Sequence, residues 1–417
     1  LKQPPLSRAL ATAAAAVADV LRGRTPEAAL AGVDAALRPA ALDLAYTALR
    51  DGGRGDFLLG RLLDKPLKDK GTQALLLVAL ARLERRPEDA HTLVDQAVTA
   101  AGTRLKGLVN AVLRNFLRRR DALLAAADAD DAARWRHPDW WLARLRAAYP
   151  DDWHAIAAAG NAHPPMCLRI NRRRAAGADF AQELATAGIA ARALGDAAFL
   201  LDRPLPVERI PGFAQGQVSV QDWGAQQAAA LLDARHDMRV LDACAAPGGK
   251  TAHLLELADL DLTALELDAQ RARRIGANLD RLGLRATVKC ADARRPEAWW
   301  DGRPFERILA DVPCSASGVA RRHPDIKRLR RPADVAGFAR TQAAILDALW
   351  PTLATGGKML YCTCSVFPEE NAEQIRAFVA RHPDARRLAT GGGSDELQLL
   401  PSDERDGFYY APLSKEP

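Results

Sequence analysis

From residue 1 to about 140, apolar positions recur at three- and four-residue steps with almost no strict alternation, the spacing of helices that bury one face. Short polar breaks such as Asp51-Gly52-Gly53 and Arg86-Pro87-Glu88 punctuate the run, so an all-helical domain is expected. The clearest helix predicted is Arg104 to Arg119. There Leu105, Leu108, Val109, Val112, Leu113, Phe116 and Leu117 form a stripe facing a core, and Lys106, Asn110, Arg114, Asn115 and Arg118 form the opposite, polar face.

The pattern changes twice further on. Between Pro138 and Pro165 the composition turns to Trp, His and Pro, which fits a domain junction. A strand-like segment, Met166 to Asn171, then precedes a helix around Phe180 to Ala187 and more extended pieces, which read as a small α+β module. After Asp237, apolar strand candidates at 239–243, 262–267, 286–290, 306–310 and 357–362 alternate with helical stretches at 250–257, 269–282 and 335–353. That alternation implies a Rossmann-like α/β domain with a mainly parallel sheet, and ligands bound at the carboxyl ends of its strands. The expected division is 1–140, 141–234 and 235–417.

Composition adds little until the charge is located. A net charge of +6 is mild for 417 residues. It is concentrated, however, in Arg169 with Arg172, Arg173 and Arg174, and in Arg321, Arg322, Lys327, Arg328, Arg330 and Arg331, a stretch whose single acid is Asp325. Either run reads as a solvated face or as a phosphate-seeking surface for nucleic acid. The six cysteines show no CxxC pair and no regular spacing, as expected of a reduced cytoplasmic protein with free thiols. A Cys362-x-Cys364 metal site lacks further ligands at zinc spacing, so no metal is expected. The alanine-rich segment Ala9 to Ala18 imitates a secretory core but reads as a helix, and no apolar run reaches membrane-spanning length.

Candidate chemistry begins at the end of the first α/β strand, in Leu241-Asp242-Ala243-Cys244-Ala245-Ala246-Pro247-Gly248-Gly249-Lys250-Thr251. Paired glycines there allow backbone to approach a ligand closely. A dinucleotide site would need GxGxxG, and a phosphate loop ending in Gly249-Lys250-Thr251 would need glycine where Cys244 stands; both fail. The second strand ends at Glu266, 18 residues beyond Gly248, suiting a carboxylate that accepts from a ribose diol. The third ends near Asp292, which could accept from an adenine amino group. Any of these acids singly could be a surface residue; together they form a constellation at successive strand ends.

The segment Cys244 to Lys250, with Asp311-Val312-Pro313-Cys314-Ser315 and Thr363-Cys364-Ser365-Val366-Phe367-Pro368-Glu369-Glu370-Asn371, resembles the RNA 5-methylcytosine methyltransferases of the NOL/NOP/Sun group. The resemblance implies that Cys244, Ala245, Ala246, Pro247, Gly248, Gly249 and Lys250 hold S-adenosylmethionine, with Glu266 at its ribose, Asp292 at its adenine and Asp311 also close to it. Members of the group often carry aspartate where Glu266 stands, which leaves Asp268 as an alternative ribose ligand.

Carbon 5 of cytosine is too weak a nucleophile to take a methyl group unaided, and a thiolate adding at carbon 6 makes it an enamine. Spacing alone permits either Cys314 or Cys364 to supply that thiolate. The Pro-Cys nucleophile of DNA cytosine methyltransferases would nominate Cys314; the resemblance to the RNA group implies Cys364 as nucleophile and Cys314 in product release. It also places Asp311 at the cytosine amino edge with Lys250 helping to position the base. Such a thiolate needs an electropositive site, for which Lys250, Arg321, Arg322 and His323 are candidates, while Cys167, Cys244, Cys290 and Cys362 are expected to be buried packing residues.

The helices ending in Lys106-Gly107-Leu108-Val109-Asn110-Ala111-Val112-Leu113-Arg114 resemble the NusB-type RNA-binding bundle. Fused ahead of the catalytic domain, this is the arrangement of the group's bacterial 16S rRNA-modifying members. Arg321 to Lys327, Val220-Gln221-Asp222 with Gln226, and Asp406-Gly407-Phe408-Tyr409-Tyr410 extend the likeness. It implies a monomeric enzyme acting on 16S rRNA, free or in early assembly particles, since the target base must be unstacked. Two other readings are a tRNA 5-methylcytosine methyltransferase, which would share the catalytic residues but usually lacks the NusB-like part, and a non-catalytic RNA-binding factor, which would have no use for both cysteines.

Overall fold

A computed structural model describes residues 4–391 and 393–417. The chain divides into two compact units, Leu1–Ala162 with Ala320–Pro332, and His163–Val319 with Ala333–Pro417.

The first unit is helical. Its core is made by Ala, Leu and Val from Leu6–Leu21, Arg38–Arg50, Lys70–Arg85 and Gly102–Arg118, with Leu10, Leu76, Leu80, Leu113 and Phe116 fully buried. The predicted stripe on Gly102–Arg118 faces that core, except that Leu108 is 36% exposed. The Trp-rich stretch expected at a junction forms two further helices of this unit, Asp139–Ala148 and Trp153–Ala159, with Trp153 edge-on to Trp135 at 5.2 Å between ring centroids.

The segment Ala320–Pro332 joins this unit although its neighbours in sequence belong to the other. Arg50 donates to the Arg321 carbonyl at 3.2 Å, Arg328 pairs with Asp56 at 2.8 Å and donates to the Gly52 carbonyl at 3.0 Å, and Lys327 donates to Asn161. Arg321 is 1% exposed and Lys327 is buried. The basic run that could have been a solvated face or a phosphate-seeking surface is therefore partly internal: guanidinium and ammonium groups spaced along a sequence look alike whether they face solvent or pack, and Arg321, Lys327 and Arg328 pack while Arg331 is exposed.

The second unit holds two sheets. The smaller combines β1 (Met166–Ile170), β2 (Ala191–Ala193), β3 (Ala198–Leu201) and β4 (Val218–Val220) in the antiparallel order β2-β3-β1-β4, with Phe180 and Leu184 of the helix Gly177–Thr186 in its core. The larger contains β5 (Arg239–Asp242), β6 (Asp261–Glu266), β7 (Thr287–Cys290), β8 (Phe305–Asp311), β9 (Leu353–Thr363), β10 (Ala385–Arg387), β11 (Leu397–Leu399) and β12 (Phe408–Lys415). Its order is β10-β12-β9-β8-β5-β6-β7, with β11 also on β12. The run from β7 to β9 is parallel, as the alternating pattern predicts. The strands that follow Ala385 pair antiparallel and make the sheet mixed.

Local chemistry explains the boundaries. The helix Ala269–Leu282 starts at Asp268, whose carboxylate accepts from the Arg271 amide at 2.7 Å, and stops at Gly283, where φ is +68°. Its buried residues, Ala272, Ile275, Leu279 and Leu282, lie along one face.

Candidate active site

Strand order reverses between β5 and β8, the place where open α/β sheets bind ligands beyond their carboxyl ends. The loop after β5 and the residues ending β8 and β9 meet there. Gly248 has φ +94°, and a Cβ on it would sit 3.1 Å from Ile275 Cγ2 and 3.2 Å from Ile275 Cα, so only glycine lets the loop run this close to the Ala269–Leu282 helix. Thr251 donates to the buried Asp242 at 2.7 Å, tying the helix that follows the loop back to the strand before it. Burial pushes the Asp242 carboxyl up to about 7.

Glu266 is buried at the end of β6 and accepts from the Asp268 amide at 3.0 Å, with Arg271 at 3.3 Å. Asp268 caps its helix through the Arg271 amide, so both acids are hydrogen-bonded within the chain. Asp292 is half-buried beyond β7 and forms a two-pronged pair with Arg294, closest at 2.7 Å, whose hydrogen bonds hold its carboxyl below the ordinary carboxylate value.

β8 and β9 pair so that Asp311 faces Cys362. Cys314 lies three residues beyond the first and Cys364 two beyond the second, so the two thiols leave adjacent parallel strands at the same edge. Their Sγ atoms are 3.3 Å apart. Lys250 Nζ lies 2.6 Å from Asp311 Oδ2, and Cys362 Sγ donates to Asp311 Oδ1 at 3.3 Å. Burial opposes the Lys250 charge, but Asp311 together with the neighbouring Cys362 and Cys364 outweighs it and raises the ammonium's pKa. The Cys314 thiol is raised well above its ordinary value, first by its contact with Cys364 and then by burial.

Three family descriptions cover most of the chain: "16S rRNA methyltransferase RsmB/F" at residues 229–414, "Methyltr_RsmF/B-like, ferredoxin-like domain" at 137–208, and "NusB family" at 8–118. The ribosomal RNA small subunit methyltransferase B of Pseudomonas putida is 47% identical over 424 residues, 97% of each chain. That of Vibrio cholerae is 45% identical over 384 residues, covering 90% of this chain and 88% of its own. The chain belongs to this methyltransferase family.

Among solved structures, one described as PH0851 matches all of both chains with a TM-score of 0.79 at 23% identity, a likeness of fold. A methyltransferase homolog protein from Pyrococcus horikoshii covers 68% of this chain and 97% of its own, with a TM-score of 0.61 at 25% identity. As a member of the family, the chain is an rRNA methyltransferase with a NusB-type helical part, a ferredoxin-like module and a Rossmann-like catalytic domain. No described helix is long and apolar enough to cross a membrane, and no cluster of three or more metal-ligating side chains occurs among the described residues.

Several family-implied residues come together: Lys250, Asp311, Cys314 and Cys364 form one cluster at the carboxyl edge, with Glu266 and Asp292 at the ends of the next two strands. The cations expected to supply a field are divided between the two units. Lys250 belongs to the second, whereas Arg321, Arg322 and His323 belong to the helical unit. Of the cysteines expected to be buried packing, Cys167 and Cys362 are, but Cys244 is half-buried and Cys290 is exposed at the end of the edge strand β7, where one neighbour is missing.

In the other basic run, Arg169 alone is internal. Arg169 is buried and grips Glu256 with two hydrogen bonds at 2.9 and 2.7 Å, while donating to the Gly249 carbonyl at 2.9 Å and to Gln221. It braces the first turn of the helix that follows the loop 244–250. Arg172, Arg173 and Arg174 are exposed, with Arg173 paired to Asp259 at 2.6 Å.

Sequence reasoning missed the support beneath the cysteines. Glu370, Ser315, Ser365 and Gln342 are buried beside the pair, and Asp242 and Arg169 beside the loop 244–250. A polar residue directly after each cysteine and a glutamate six residues beyond Cys364 were the available signals, and they do not reveal burial.

Proposed function

We propose that the chain transfers a methyl group to carbon 5 of a cytosine in 16S rRNA, with Cys364 as the nucleophile and Cys314 in product release. The observation that carries this reading is the 3.3 Å approach of the two thiols beside the Lys250–Asp311 pair. One thiol alone could be packing; two at one strand edge within contact distance suit a covalent addition and its reversal.

The loop 244–250, with Glu266 at the next strand end, fits a nucleoside cofactor: Gly248 and Gly249 put no side chain between backbone and a ligand, and a carboxylate ends the next strand as a candidate acceptor for a ribose diol. When bound, S-adenosylmethionine supplies a methyl group activated on sulfonium. Cys364 as thiolate forms a bond to carbon 6 of the flipped cytosine, shifting an electron pair toward carbon 5. Asp311 accepts from the exocyclic amine and Lys250 holds Asp311 in place. After carbon 5 is methylated, its proton leaves to a base, the electron pair re-forms the ring double bond, and the Cys364–carbon 6 bond breaks. Contact with Cys364 and burial raise the Cys314 thiol, and its part in the release step is taken from the resemblance to the RNA group.

The test is single turnover with 16S rRNA and S-adenosylmethionine. Cys364→Ser should abolish 5-methylcytosine with no RNA bound covalently, and Cys314→Ser should trap RNA on the protein. Retained turnover in Cys364→Ser with loss of turnover and no trapping in Cys314→Ser would reverse the roles. Bisulfite mapping, with tRNA as the competing substrate, tests the rRNA assignment; free rRNA, early particles and mature subunits compared side by side test the assembly stage.

A further inference from the structure

Both cysteine loops converge on one buried carboxylate. Glu370 Oε1 accepts from the Ser315 amide at 2.7 Å and from Gln342 at 3.2 Å; its Oε2 accepts from the Ser315 hydroxyl at 2.5 Å and the Ser365 hydroxyl at 2.6 Å. Four donors fill the four lone-pair directions a carboxylate offers. Ser315 directly follows Cys314, and Ser365 directly follows Cys364. The same Gln342 donates to the carbonyl of Pro313 at 3.1 Å, so the Cys314 backbone is held on both sides.

Glu370, Ser315, Ser365 and Gln342 are all 0% exposed, and burial pushes the Glu370 carboxyl up despite its donors. An apolar residue could fill that volume without the several kcal/mol of desolvation that a buried carboxylate carries. Core filling alone therefore does not account for an acid here. Ser317 adds a second tie, lying 3.0 Å from the Ser365 hydroxyl and accepting from the Val366 amide at 2.9 Å.

We propose that Glu370 is a positioning residue that sets the separation of the two thiols by gripping the residue after each cysteine. The proposal rests on reading Cys314 and Cys364 as a working pair. Removing its grip should let the thiols drift apart and slow the steps that need both, while leaving the cofactor loop untouched.

Phenylarsine oxide reads that separation without catalysis. Its arsenic–oxygen bond is lost as water when two thiols, giving up their protons, form two arsenic–sulfur bonds. In the wild-type full chain it should give an adduct that survives a monothiol wash, and Cys314→Ser should lose it. Glu370→Gln should slow that bridging about tenfold and lower kcat about tenfold, with KM for S-adenosylmethionine and for rRNA within about twofold of wild type. Bridging and kcat both at wild-type values in a folded Glu370→Gln protein would overturn the proposal, as would equal losses in kcat and in cofactor binding. Should Glu370→Gln fail to fold, Ser315→Ala and Ser365→Ala each remove part of the grip; slowed bridging in both supports the proposal, and wild-type bridging in both overturns it. Absence of 5-methylcytosine formation by the wild type would defeat the assigned reaction, yet the arsenical would still report the geometry.

Discussion

Lys250 Nζ and Asp311 Oδ2 lie 2.6 Å apart across the point where the strand order reverses, joining the loop after β5 to the end of the strand that leads to Cys314. Each therefore depends on the other for its place. Lys250→Met and Asp311→Asn should each lower kcat by about two orders of magnitude, the cost of misplacing a reacting group by an ångström or so. The double variant should be little worse than either single one, because both remove the same interaction. Additive losses in a methyl-transfer assay would mean that the two act separately.

Gly248→Ala should raise KM for S-adenosylmethionine about tenfold or more and destabilise the fold by about 1–3 kcal/mol, because a side chain at φ +94° is strained and its Cβ presses on Ile275. Cofactor titration followed by tryptophan fluorescence and urea unfolding would measure the two effects. An unchanged KM would separate this loop from cofactor binding.

Arg169→Met leaves the Glu256 carboxylate buried without its two-pronged partner, a loss expected to cost about 3–5 kcal/mol in urea unfolding. Adding Glu256→Met should restore much of it, since the isolated charge is then gone. Weaker rRNA binding with unchanged stability would instead return Arg169 to a phosphate-contacting role.

Burial pushes the Lys327 ammonium down to about 7 from 10.5. Between those values the folded chain binds fewer protons at this site than the unfolded chain, so its contribution to stability rises with pH across that window. Below about 7 the amine is charged in both states and the burial cost is felt in full. Lys327→Met should stabilise the protein most near pH 6 and progressively less toward pH 9, read as the wild-type-to-variant difference in urea midpoint at about three pH values. A difference that does not vary with pH would show that Lys327 keeps an ordinary proton affinity.

Much of the catalytic unit was legible in the chain itself. The alternation of apolar strands with amphipathic helices, and the glycine pair after the first strand, are local properties that hold wherever the chain goes; β5 to β9 lie close to where they predict. The strands at Ala385–Arg387, Leu397–Leu399 and Phe408–Lys415 were not legible, because two are only three residues long and all three are defined by their partners.

The sequence by itself determined the kinds of chemistry available: two cysteines after strand ends, a lysine in the glycine-containing loop after the first strand and acids at successive strand termini. Tertiary structure alone decided which of these groups meet. Whether Cys314 reaches Cys364 depends on the register of β8 against β9, a relation between segments 50 residues apart that no local pattern encodes. Burial is likewise a property of the packed chain. It turned Arg169, Arg321 and Lys327 from apparent phosphate ligands into buried residues, and Glu370 from one more acid in a polar stretch into a carboxylate bonded to the residue after each thiol.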